Sequence, residues 1–188
     1  MLARNLIPGL PPIGPLDLIQ GGAQAAEIAV GLPQSTVIND FGANADWVNR
    51  LHTLCSRLAR HSVDAQGVNQ AVNAVLAQLG PKERIPSLQF WGHGRPGGME
   101  VGNEFITAAS FQPGHPQYRA LCRLRAQLGP NATVYFRGCE TFRGAEGRAF
   151  AEAAARFFNC RVVGYTRVIP PWTSQQELRP GQRASWKD

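Results

Sequence analysis

Strand-like runs alternate along this chain with segments of helical period, and that alternation restricts the fold more than any other feature. Residues 35–41 (STVINDF), 87–91 (SLQFW), 132–136 (ATVYF) and 160–166 (CRVVGYT) are short, β-branched or aromatic, and bounded by turn residues. Between the first two, Trp47, Leu51, Leu54, Cys55 and Leu58 share one helical face. Val68, Val72, Val75, Leu76 and Leu79 share another, with Gly80 as a stop. Residues 99–107 (MEVGNEFIT) read as a small hairpin. Two further helices follow, in 115–129 (HPQYRALCRLRAQLG) and in the alanine-rich 144–159 (GAEGRAFAEAAARFFN). The order predicts an α/β fold: a three-layer sandwich with a mainly parallel central sheet and helices on both faces. Residues 1–33 are rich in proline and glycine and read as an arm or linker that packs on the body or docks on a protein partner. Residues 34–188 read as one domain, with a loop after its last strand.

Two of the strand-like runs end alike. One leads into "GHG" at Gly92–His93–Gly94, the next into "RGC" at Arg137–Gly138–Cys139. Ligands of open α/β sheets sit outside the carboxyl ends of the strands. If these strands are neighbours, about 5 Å apart, His93 and Cys139 share one rim. An isolated histidine is more often structural than functional, and a lone cysteine more often a small buried apolar group. The flanking glycines favour the functional reading, because they admit unusual backbone angles and close approach of a ligand. A thiol is a strong nucleophile once ionised, and a nearby imidazole favours the thiolate or protonates a leaving amine. The amides of Gly94 and Cys139 suit a developing oxyanion, and a helix starting near Gly144 adds a modest positive dipole. "GHGRPG" also fits G-x-G-x-x-G, but a hairpin follows where a dinucleotide fold needs a helix.

Carried by "FWGHG" and "VYFRGCE", with the hairpin between them, residues 35–166 resemble the caspase-like (clan CD) cysteine peptidases. That group includes caspases, legumain-like, separase-like and gingipain-like enzymes and bacterial toxin-processing domains. The chain also resembles caspase-like domains of bacterial surface proteins in which "SHG-x-PG" precedes "L-x-x-GC". The resemblance implies a cysteine endopeptidase with a His93–Cys139 dyad, an oxyanion hole at Gly94 and Cys139, a protein or peptide substrate, and no metal or cofactor. It makes Arg137, two residues before the cysteine, a candidate for the S1 pocket. Trp172 becomes a candidate for a substrate-binding loop. The caspase pentapeptide around the cysteine is absent, and no evident processing site divides the chain. Two other classes stay open: a non-catalytic binding or scaffold module on the same fold, and a non-peptidase cysteine hydrolase acting as a bacterial toxin or effector.

Composition narrows the remaining choices. The formal net charge is +6, almost all from arginine; Lys82 and Lys187 are the lysines. The basic residues form no stripe interleaved with aromatics, so nucleic acid is not an expected partner. Cys55, Cys122, Cys139 and Cys160 form no C-x-x-C pair, which argues against a zinc ribbon. Cys55, Cys122 and Cys160 read as buried apolar residues. His52 and His61 fall in helical patterns, and His115 in a loop. No apolar run approaches the ~20 residues that span a bilayer, and the N-terminus lacks the apolar core of a signal peptide. The expectation is a cytoplasmic chain, or one exported without a signal peptide.

Overall fold

The computed structural model describes residues 32–41, 55–168 and 175–187. Its elements run β1 (Ser35–Asp40), β2 (His61–Ala65), α1 (Val68–Gln78), β3 (Ile85–Trp91), β4 (Gly94–Arg95), β5 (Gly98–Val101), β6 (Glu104–Thr107), α2 (Tyr118–Arg125), β7 (Leu128–Arg137), α3 (Gly144–Phe158), β8 (Arg161–Tyr165) and β9 (Gln175–Leu178). Six strands form the central sheet in the order β2-β1-β3-β7-β8-β9, and β4-β5-β6 form a small second sheet.

The fold is α/β, with a mixed central sheet. The expectation of a mainly parallel central sheet is corrected at β9, which runs antiparallel along β8, while the other four pairings are parallel. The C-terminal residues read as a loop supply that edge strand. They then continue across the body: Trp186 Nε1 donates to the Phe142 carbonyl at 2.9 Å, and the Ala184 amide to Glu152 Oε1 at 3.0 Å.

Alternation along the strands gives the sheet two unlike faces. Ile38, Leu88, Phe90, Val134, Phe136 and Val162 point to one side, where they meet the apolar faces of α1, α2 and α3 in a single core. The helical residues Cys55 and Ser56 lie toward the other side, so the described residues are consistent with a coarse three-layer α/β fold. The opposite face meets Leu32, Cys55 and Ala59, and most of the helical pattern expected before β2 lies outside the described residues. Leu32, assigned to the arm from sequence, is buried against Val37 and Trp91; residues 1–31 lie outside the described residues. Polar side chains are buried on this second face, and several bond to one another. Gln89 Nε2 donates to Ser35 Oγ at 2.8 Å, and Trp91 Nε1 to Gln89 Oε1 at 2.9 Å.

Helix α1 starts without a side-chain cap of its own. Glu104 in β6 substitutes, its Oε2 accepting the Val68 amide at 3.1 Å, so the hairpin sheet is tied to the helix start. Helix α3 ends at Asn159, whose left-handed φ of 52° stops the helix before β8.

His61 opens β2 rather than sitting in a helix, and its Nε2 lies 2.8 Å from Glu83 Oε1. Arg60 Nε approaches the same oxygen at 2.6 Å, and the Gly80 amide donates to Oε2 at 3.0 Å. The Gly80 amide, then His61, then the charge of Arg60 hold the Glu83 carboxyl down from its ordinary 4.5 to about 2. A depressed carboxyl contributes stability that is present above its ordinary pKa and lost as pH falls through the folded one. Thermal melts should therefore fall between pH 4.5 and about 2, and Glu83→Gln should lack that increment. Parallel melting curves for the two proteins would contradict this assignment.

Candidate functional site

Three strands of the central sheet end together. Asn39 of β1, Trp91 of β3 and Arg137 of β7 lie in register across the sheet. Asp40, Gly92 and Gly138 are the next residues along, so one rim carries three chain exits side by side. The arrangement is held from beneath by Phe90 and Phe136, fully buried and stacked with ring centroids 5.5 Å apart. Truncating either ring would cost about 3–5 kcal/mol. The rim thus rests on some of the best-packed residues in the chain.

The two loops read from the sequence meet here, backbone against backbone. The Gly92 amide donates to the Arg137 carbonyl at 3.4 Å, and the Gly97 amide to the Thr141 carbonyl at 3.3 Å. A Cβ on Gly94 would lie 2.6 Å from the Cys139 carbonyl oxygen and 2.8 Å from the Gly138 carbonyl carbon. A Cβ on Gly138 would lie 3.1 Å from both the amide nitrogen and the Cα of Gly94. Neither Gly92 nor Gly94 has a positive φ. What these positions require of glycine is space, not an unusual dihedral, which corrects half of the reason given for them from sequence.

His93 and Cys139 follow these contacts, each two residues past a paired strand position. Both are partly exposed, as a site at a rim requires. The His93 carbonyl accepts the Glu100 amide at 2.9 Å, which ties the histidine to β5. After Cys139 the chain turns through Glu140, which has φ 59°. The Glu140 amide donates to the Arg167 carbonyl at 3.0 Å, and its carboxylate pairs with Arg143 at the start of α3. The Phe142 amide then bonds to the Tyr165 carbonyl at 2.9 Å. A left-handed non-glycine residue costs of order 1–3 kcal/mol and persists only where its surroundings hold it, as they do here.

The other sequence candidates separate. Arg137 is 7% exposed and lies along the second face of the sheet. Its Nε donates to Gln89 Oε1 at 2.6 Å and its Nη1 to Tyr165 Oη at 2.7 Å, with the guanidinium 4.7 Å above the Tyr135 ring. Among the described residues no carboxylate pairs with it. Trp172 lies outside the described residues, as does His52. His115 precedes α2, where its Nδ1 accepts the Gln117 amide at 3.3 Å. Of the other thiols, Cys160 is buried, and burial pushes it up to about 11. Cys55 and Cys122 are half-buried against the apolar clusters rather than fully enclosed. Among the described residues no three His, Cys, Asp or Glu side chains group as metal ligands. No described helix is long and apolar enough to cross a membrane.

Sequence reasoning missed two members of this rim. Thr141 packs its methyl against Gly94, and its Oγ1 accepts the Tyr165 amide at 3.3 Å. Asp40 closes β1 beside Gly92. The acid at the end of "STVIND" was the available signal, but nothing in the sequence places β1 next to β3.

A family described as a domain of unknown function (DUF4347) matches residues 46–169, well over half of the chain, and spans both loops. No curated protein matches the chain.

Proposed function

The chain belongs to the family described as a domain of unknown function, DUF4347, and we propose that it is a caspase-like cysteine endopeptidase with His93 and Cys139 as its dyad. One observation carries this reading. β3 and β7 are hydrogen-bonded neighbours, and the backbones leaving them touch, so the exits that carry the histidine and the cysteine lie side by side.

The chemistry follows from the residues. Cys139 Sγ, as thiolate, adds to a peptide carbonyl, and the carbonyl electron pair moves to oxygen. The amides of Gly94 and Cys139 supply donors to that oxyanion. His93 gives its proton to the departing amine as the C–N bond breaks, leaving a thioester on Cys139. Water then adds to the thioester as His93 takes its proton, and the carboxylate product leaves with the thiolate restored. The positive end of α3, which begins at Gly144, favours the thiolate modestly. Digestion of a peptide library with the intact protein, and with Cys139→Ala as control, tests the reading. Cleavage that depends on Cys139 supports it. No cleavage at any peptide bond leaves the binding module as the better description, and release from esters or side-chain amides alone indicates the non-peptidase hydrolase.

The residue preceding the scissile bond is a separate prediction. Among the described residues Arg137 bonds neutral oxygens and lies over the Tyr135 ring, along the second face of the sheet, so it serves specificity where a substrate side chain reaches past the rim onto that face. A substrate carboxylate that reaches it there supplies a counter-charge. Peptides with Asp or Glu at that position are expected to be cut roughly 30-fold better than their amide counterparts, the scale of a buried charged contact. A preference for Arg or Lys would remove Arg137 from the pocket, because a guanidinium repels them.

A further inference from the structure

Asp40 is 4% exposed although it ends its strand, and the next residue, Phe41, is exposed. A buried carboxylate needs hydrogen-bond partners. The Gly102 amide is one, donating to Asp40 Oδ1 at 2.8 Å. Gly102 is the left-handed turn of the β5–β6 hairpin, with φ 66°. That turn is pressed against α1's leading segment: a Cβ on Gly102 would overlap the Gln66 backbone, and the Asn103 amide donates to the Gln66 carbonyl at 3.0 Å. On its other side Asp40 packs on Gly92. A Cβ there would overlap Asp40 Cβ and come within 3.2 Å of Oδ2.

One carboxylate therefore touches the chain on both sides of His93. It backs Gly92, the residue before the histidine. It also fixes the turn of the hairpin whose Glu100 amide holds the His93 carbonyl. A charged acceptor for a backbone amide is a stronger anchor than a neutral one, and the strand that carries it is paired with β3 in register. We propose that Asp40 is a positioning residue of the site: it sets where the His93 segment sits against the end of β7. The proposal rests on the dyad reading above. It brings to the rim a residue from a third strand, β1.

Alkylation by iodoacetamide tests it without a known substrate. The rate at Cys139 is divided by the rate at Cys55 in the same molecule, a ratio that global stability does not move while the protein stays folded. Asp40→Ala is expected to lower that ratio about 10-fold or more, because a misplaced imidazole no longer favours the thiolate. Asp40→Asn keeps an acceptor oxygen for Gly102 and should restore most of it. Asp40→Glu keeps the charge but adds a methylene that pushes on Gly92, and should also lower the ratio; it decides the matter if the alanine variant does not fold. A fast Cys139 in the wild type that stays as fast in the folded Ala and Glu variants overturns the role of Asp40 alone. A wild-type Cys139 no faster than Cys55 overturns the dyad reading beneath it.

Discussion

Replacing either Cys139 or His93 with alanine is expected to remove turnover while leaving the fold in place. Neither side chain belongs to the two apolar clusters, and both are partly exposed beyond the strand ends. Their removal opens no core cavity, so the stability cost should be about 1 kcal/mol or less. The loss of activity should be far larger, on the order of 10³-fold or more for each, because nucleophile and acid act as one unit. For the same reason the double variant should be no worse than the worse single one. Kinetics on any peptide found by library digestion, paired with thermal melts, measure both effects. Full activity in either variant would end the dyad assignment. Unfolding of both would mean that the two residues are structural.

Gly94→Ala is the second large effect. Its Cβ would enter the space of two backbone atoms, the Cys139 oxygen at 2.6 Å and the Gly138 carbonyl carbon at 2.8 Å. A flexible side chain could swing away, but these atoms belong to a loop fixed by Glu140, Phe142 and Gly97. The two exits must therefore separate. Overpacking of this kind costs about 1–3 kcal/mol. A displacement near 1 Å at a reacting pair costs roughly 10²-fold in rate. Loss of kcat/KM should thus exceed what the melting shift suggests. Gly129→Ala provides the control, because its Cβ would meet only ordinary contacts near 3.6 Å, and it should behave like wild type. Wild-type rates in Gly94→Ala would show that the two loops need not touch.

Much of this arrangement was visible in the residues, and the omissions have physical causes. β1, β3, β7 and β8 were legible because buried interior strands are continuous apolar or β-branched runs. The helices α1, α2 and α3 were legible from one-sided periodicity. β2 and β9 were not. Each is an edge strand paired on one side only, and HSVDA and QQEL carry too few apolar residues to signal burial. Reading QQEL as loop is also what made the sheet look more parallel than it is. That the exits carrying His93 and Cys139 share one rim could be read because both follow strand-like runs capped by glycine. Asp40 could not, since its proximity to Gly92 depends on β1 lying beside β3, and strand order is a property of the assembled sheet. Arg137 shows the converse. Its place in the sequence suggested a rim residue, yet Gln89 and Tyr165 draw its side chain along the sheet face.

The central claim is that His93 makes Cys139 a nucleophile unlike the other thiols. Competitive labelling of the folded, full-length chain with iodoacetamide at neutral pH, read by peptide mass spectrometry, addresses it most directly. Cys139 should be modified well ahead of Cys55 and Cys122, with Cys160 last because burial holds it protonated. In His93→Ala the lead of Cys139 should disappear while the other three rates stay unchanged. Four thiols reacting at similar slow rates, or a fast Cys139 that does not notice the loss of His93, would contradict the account.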